Sequence, residues 1–156
     1  MNLPATKLYK RATFVTQLPV THLYSPTHCW LARTESGSWR VGYTKFALRM
    51  LGELVDIQFE KPIGAPVQAG EIVGSIEGFK ALSDIYCVGK GHFAGSNPAL
   101  KGDLEEIARQ PYSTGWLYEF SGEPDERSMP LDQYCSLLDA TIDRILEKQK
   151  TSEAVE

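Results

Sequence analysis

The chain has 156 residues, 42% of them hydrophobic, and 16 basic against 20 acidic side chains give it a formal net charge of −4. That is enough chain and apolar content for one domain with a buried core. The mild acidity excludes a nucleic-acid footprint beyond the small cluster Lys7, Lys10 and Arg11, and no apolar run approaches the roughly 20 residues of a membrane-spanning helix.

Residues 1–20 are basic and hydroxyl-rich, and no acid precedes Glu35. A mitochondrial presequence shares that composition, but arginine is scarce. The segment is therefore read as an extension packed on the domain, with Leu18, Val20, Leu23 and Tyr24 supplying an edge strand or an anchoring loop. From Cys29 the pattern becomes β-like: Trp30 and Leu31, a Glu35-Ser36-Gly37-Ser38 turn, then Trp39, Val41 and Tyr43 predict a hairpin. Thr44 is a fit N-cap for a short helix over 46–51 that Gly52 stops, and Leu54 to Phe59 alternates as a half-buried strand. Lys61 to Pro66 reads as a turn.

The stretch from Gly70 to Tyr86 organises the rest. Ile72 and Val73 lie between Gly70 and Gly74, Ile76 leads up to Lys80, and Ile85 and Tyr86 lead away, which predicts two β segments joined by an exposed bend with Lys80 at its tip. Most exposed lysines only stay hydrated. On a protruding turn, however, an amine can enter a modifying enzyme and carry a swinging cofactor.

Beyond the hairpin, Val88 to Gly95 is glycine-rich. It lacks both the Gly-Lys-Ser/Thr ending of a phosphate loop and dinucleotide spacing, so tight β turns are expected there. Asn97-Pro98 starts a turn, and Leu100, Leu104, Ile107 and Ala108 predict a helix ended by Gln110-Pro111. Trp116 to Phe120 reads as the last strand, packing in the core rather than forming a ligand platform, and Gly122 to Arg127 as a polar linker. Ser128-Met129-Pro130 opens the longest helix, whose apolar face (Leu131, Tyr134, Cys135, Leu138, Ile142 and Ile145) is expected to pack on the domain, with fraying beyond Lys148.

The three cysteines Cys29, Cys87 and Cys135 are odd in number and widely spaced, which predicts reduced thiols in a cytoplasm-like compartment. His22, His28 and His92 have no metal-ligand spacing, and no Ser/His/Asp set or close carboxylate pair points to catalysis.

Glu77-Gly78-Phe79-Lys80-Ala81-Leu82-Ser83-Asp84 resembles the lipoyl-attachment hairpin of the glycine cleavage H-protein family, whose pattern is Glu-Ser-Val-Lys-Ala, a small or apolar residue, then Ser-Asp. His28 and Trp30 match the family's His-Glu-Trp, Val41-Gly42-Tyr43-Thr44 its Val-Gly-Ile-Thr, and Gly64, Val67, Gly70 and Gly74 its turning strands. Asn97 and Leu100 match Asn-x-x-Leu, and Pro111 to Leu117 matches Pro-Tyr-x-x-Gly-Trp-Leu. Biotinyl carriers place methionine on both sides of their lysine, whereas Lys80 has Phe79 and Ala81.

The resemblance implies a mainly β, flattened barrel or sandwich of lipoyl-domain type. It would have two antiparallel sheets, the lipoyl lysine on a hairpin tip, short helices and a C-terminal amphipathic helix. It divides the chain into an extension (1–20), the carrier domain (21–122), a C-terminal helix packed on it (123–150) and a tail (151–156). It further implies a non-enzymatic carrier with lipoic acid covalently on Lys80, attached by a lipoate ligase or lipoyl transferase that reads Glu77 and Gly91, in the cytoplasm, or in mitochondria if eukaryotic.

Gly78-Phe79 in place of Ser-Val, Cys29 in place of the entry-strand Glu, and Cys87 where the family has alanine set the arm's surroundings apart. Cys87 is a candidate redox neighbour of the arm. These departures favour a role in sulfur-compound oxidation with a heterodisulfide-reductase-like complex. The alternative is aminomethyl transfer between glycine decarboxylase and aminomethyltransferase, with reoxidation by dihydrolipoamide dehydrogenase. A further alternative is an unlipoylated interaction module.

Overall fold

The computed structural model describes residues 5–155. In chain order it has β1 (Thr6–Arg11), β2 (Phe14–Pro19), β3 (Leu23–Tyr24), β4 (Cys29–Arg33), β5 (Trp39–Tyr43), α1 (Lys45–Leu51), β6 (Leu54–Phe59), β7 (Pro66–Val67), β8 (Ile72–Gly78) and β9 (Leu82–Tyr86). These are followed by β10 (Gly89–Ser96), a 3-10 turn (Pro98–Lys101), α2 (Glu106–Arg109), β11 (Tyr118–Pro124) and α3 (Leu131–Val155). The strand pairs are antiparallel. A six-stranded sheet in the order β3-β4-β5-β11-β10-β7 faces a three-stranded sheet β6-β8-β9, and β1-β2 forms a separate ribbon.

The two larger sheets enclose one core. Leu31 and Val41 from one side meet Val73, Ile76 and Ile85 from the other, with Phe93, Leu117, Tyr118 and Phe120 filling the middle. Such burial, at about 25 cal/mol per Å² of apolar surface, is the main force holding the sheets together. This mainly β architecture is the one expected, with the β1-β2 ribbon added to the two sheets.

A second core lies outside the barrel. Tyr9, Phe14 and Leu18 of the ribbon pack with Leu131, Tyr134, Leu138 and Ile142 of α3 over Tyr24, Trp30 and Phe46. Tyr24 and Tyr134 stack with ring centroids 4.7 Å apart. Polar links tie the same surfaces at their rim: the Tyr9 hydroxyl donates to Asp139 at 2.7 Å, and Arg11 grips Asp143 through two nitrogens at 2.9 and 2.7 Å. The apolar stripe of α3 is thus covered by the chain's own N-terminal ribbon as well as by the barrel.

Several elements differ from the sequence reading. Residues 89–96 form one continuous strand rather than tight turns, because their glycines admit neighbouring strands rather than bend the chain. The helix expected from Leu100 to Ala108 breaks at Gly102 into a 3-10 turn and the four-residue α2. The last strand starts at Tyr118, not Trp116, and runs through the supposed linker to Pro124. Helix α3 continues to Val155 where fraying and a tail were expected.

Candidate functional site

The hairpin β8-β9 puts Lys80 where the sequence predicted. Glu77 pairs with Leu82, and the Gly78 N–H donates to the Ala81 carbonyl at 2.9 Å, so Phe79 and Lys80 form the turn itself. The tip is braced from below by the end of α1. Thr44 caps that helix through its hydroxyl, and Gly52, with φ of 76°, ends it. The tip uses a carbonyl released there and one just beyond it: the Lys80 N–H donates to Leu51 and the Phe79 N–H to Glu53, both at 2.9 Å. A Cβ on Gly78 would overlap the Leu51 carbonyl, so this close seating needs a glycine.

The Lys80 side chain is exposed, and its Nζ donates to the Arg49 carbonyl at 3.3 Å. No carboxylate pairs with it among the described residues. A primary amine in this setting suits acylation: it is reachable, no ion pair has to be broken, and the product amide keeps one N–H for Arg49. Phe79, 77% exposed, and Leu82, 74% exposed, flank it as an apolar collar. Large apolar groups held out at a rigid tip are a recognition surface in the making.

The other predicted site residues separate. Glu77 is exposed near the end of β8, between Asp56 and Leu82. Gly91 lies on β10 in the opposite sheet, paired with Val67 and Gly122. There its φ is 148° and a Cβ would overlap the Ser121 carbonyl, so packing of β10 on β11 is enough to require glycine. Cys87 is 1% exposed, with its thiol donating to the Gly89 carbonyl at 3.1 Å and its pKa raised by burial. The candidate redox neighbour is thus a packed core thiol, because a thiol reacts as an exposed thiolate. Cys29 is likewise buried, and burial pushes its pKa up to about 12.

Beside β9 the structure opens a cavity of about 340 Å³, within the size range of small-ligand pockets. Cys29, Tyr43 and Leu51 line it together with Leu82, and Asp84 brings a carboxylate to its edge; no lysine or arginine lines it. His28 closes one side, held at φ of 67° with its Nδ1 2.9 Å from the Tyr134 hydroxyl, which in turn lies 2.8 Å from Thr44 Oγ1. Burial lowers the His28 pKa to about 4, so the imidazole is neutral near pH 7. Sequence reasoning missed this cavity because its walls come from β4, β5, α1 and β9. His28, Tyr43 and the stretch Ala81 to Asp84 each fell inside a matched motif, but nothing in the sequence showed that they share one cavity.

The family model described as glycine cleavage H-protein matches residues 22–138. Among individual proteins, the chain is similar to a glycine cleavage system H protein of Corynebacterium jeikeium, at 39% identity over 67% of this chain and 84% of that one. It is 34% identical to the H protein of Mycolicibacterium vanbaalenii over 81% of this chain and 93% of that one. The solved structure of an H protein from Mycobacterium marinum superposes with a TM-score of 0.68 at 32% identity, covering 76% of this chain and 97% of that one.

Proposed function

From the premise that this chain belongs to the glycine cleavage H-protein family, whose members are carriers rather than enzymes and hold lipoate covalently on a lysine, we propose that Lys80 bears the lipoyl group. The arm it carries passes an aminomethyl group from glycine decarboxylase to aminomethyltransferase, and dihydrolipoamide dehydrogenase reoxidises it. The observation that carries this reading is the placement of Lys80: exposed, without a carboxylate partner among the described residues, on a turn whose two backbone N–H groups are fixed to Leu51 at the end of α1 and to Glu53 just after it. When bound through Lys80, lipoate would supply a dithiolane sulfur able to accept the transferred group.

The chain's own residues hold and shelter this arm. The hydrogen bonds from Lys80 and Phe79 to Leu51 and Glu53 keep the arm's root from swivelling with the hairpin. The cavity beside β9 offers the arm apolar contact at Tyr43, Leu51 and Leu82, and Asp84 offers a carboxylate to an ammonium-bearing load. Neutral His28 on the same wall adds no opposing charge. Glu77, exposed beside the tip, serves recognition by a lipoate ligase or lipoyl transferase; Gly91 serves lipoylation through the fold, by letting β10 pack on β11, and the protein works in the cytoplasm.

Sulfur-compound oxidation with a heterodisulfide-reductase-like complex draws no support from these relatives, and burial of Cys87 removes one residue that favoured it. Incubation of the full chain with lipoate ligase, lipoate and ATP, followed by peptide mass mapping, tests the proposal. One lipoyl group on Lys80, absent from Lys80→Arg, is expected. Lipoylation elsewhere, or none, would overturn it.

A further inference from the structure

A second opening lies on the other side of the Lys80 tip, and part of it is built from residues outside the family match. The tip of the β1-β2 ribbon, α1 and the stretch of α3 from Ile142 to Gln149 enclose a groove of about 430 Å³ with Lys80 on its rim. Arg11 to Phe14 and Ile142 to Gln149 fall outside the matched residues 22–138. The floor is apolar, formed by Phe14, Phe46, Met50, Ile145 and Leu146; Met50 is 53% exposed and Leu146 37% exposed.

The charges here are opposite to those of the cavity beside β9. Arg11 and Arg49 line the groove and no carboxylate does. Arg11 is already paired with Asp139 and Asp143. Arg49 makes no ion pair among the described residues; its guanidinium donates to Thr13 Oγ1 at 3.3 Å and lies over Phe14 at 5.7 Å from the ring centroid. The root of an arm on Lys80 is also aimed this way, since Nζ donates to the Arg49 carbonyl and an amide nitrogen retains the N–H to do so.

We propose that this groove is a seat for the chain's own lipoyl arm in its uncharged, unloaded state. The inference rests on lipoylation of Lys80. An uncharged dithiolane with its hydrocarbon tail matches an apolar floor and is indifferent to Arg49. An arm bearing an ammonium group meets the unpaired guanidinium in a partly dehydrated groove and is turned away, towards the cavity that has Asp84 and no cation.

The test uses the full chain with Cys135→Ser, which removes the partly buried thiol, and compares backbone amide spectra at neutral pH of the chain unmodified, lipoylated on Lys80, and lipoylated, reduced and S-alkylated with 2-bromoethylamine to leave an ammonium. Lipoylation is expected to shift Thr13, Phe14, Ile145 and Leu146. The aminoethyl arm is expected to return those amides to their unmodified positions and to shift Asp84 and its neighbours. A control arm alkylated with iodoacetamide, which is neutral, should keep the groove shifts. In Leu146→Asp, with an unchanged thermal midpoint, the groove shifts should fall at least threefold while those of the hairpin persist.

A chain lipoylated on Lys80 whose groove amides do not move overturns this inference alone. A chain that no ligase lipoylates overturns the reading beneath it as well. Groove shifts that grow with protein concentration assign the groove to a second copy and overturn the seat.

Discussion

His28 gives the site a pH dependence whose size follows from its surroundings. Its ring lies against Phe46 and Tyr134, its Nδ1 is 2.9 Å from the Tyr134 hydroxyl, and Asp84 lines the same cavity. No carboxylate bonds to it among the described residues, and burial alone lowers its pKa to about 4. In the unfolded chain the same imidazole titrates near 6.5, at about 1.36 kcal/mol per unit of difference. Because the folded pKa is the lower one, protonation favours unfolding. The stabilisation is complete above about pH 6.5 and is lost as the pH falls towards 4.

Between pH 7 and pH 5 the His28 contribution to unfolding free energy should therefore drop by about 2 kcal/mol. His28→Asn keeps a residue type that tolerates positive φ but removes the titration. Denaturant unfolding at the two pH values should show the wild type losing about 2 kcal/mol more than the variant. Profiles that run parallel would refute the assignment of a neutral, enclosed imidazole. The buried His22, whose pKa burial also lowers, contributes equally to both proteins and cancels in the comparison.

Three further outcomes follow from the same structure. Leu138→Ala opens a cavity in the second core and should cost about 2–5 kcal/mol in chemical denaturation, because Leu138 is fully buried between α3, the ribbon and the barrel. Glu77→Ala should slow lipoylation of Lys80 in a ligase assay while changing stability by no more than about 0.5 kcal/mol, since the side chain is exposed; unchanged kinetics would remove Glu77 from ligase recognition. Iodoacetamide added to the folded, unlipoylated chain should label Cys135 ahead of Cys29 and Cys87, because Cys135 is only partly buried and the other two are enclosed. Rapid labelling of Cys87 would restore it as a partner for the arm.

The parts legible in the sequence are those whose cause is local. Thr44 and Gly52 mark the two ends of α1 by capping chemistry alone. The alternation around Lys80 specifies β8 and β9, and the spacing from Leu131 to Ile142 specifies the buried face of α3. What escaped depends on partners distant in the chain. The β1-β2 ribbon turns at Ala12-Thr13 without a glycine, and its buried face is completed by α3 some 130 residues later, as the Tyr9–Asp139 bond shows.

The glycines of β10 looked like turns because glycine marks both a bend and a close approach. The close passage of β11 decides which, at Gly89 against Phe120 and at Gly91 against Ser121. The groove at Lys80 was illegible for the same reason: its walls come from both ends of the chain and from α1. Departures from the family pattern around the arm pointed towards a different cargo in sequence. In the structure one of them, Cys87, is core packing, and another, Gly78, admits the Leu51 carbonyl.

The most direct measurement is glycine–bicarbonate exchange by glycine decarboxylase, using protein whose single lipoyl group on Lys80 has been verified by mass. Exchange that is saturable in the lipoylated chain and absent with Lys80→Arg is the predicted result. Silence from a fully lipoylated, folded sample, beside an active H protein as control, would contradict an aminomethyl carrier.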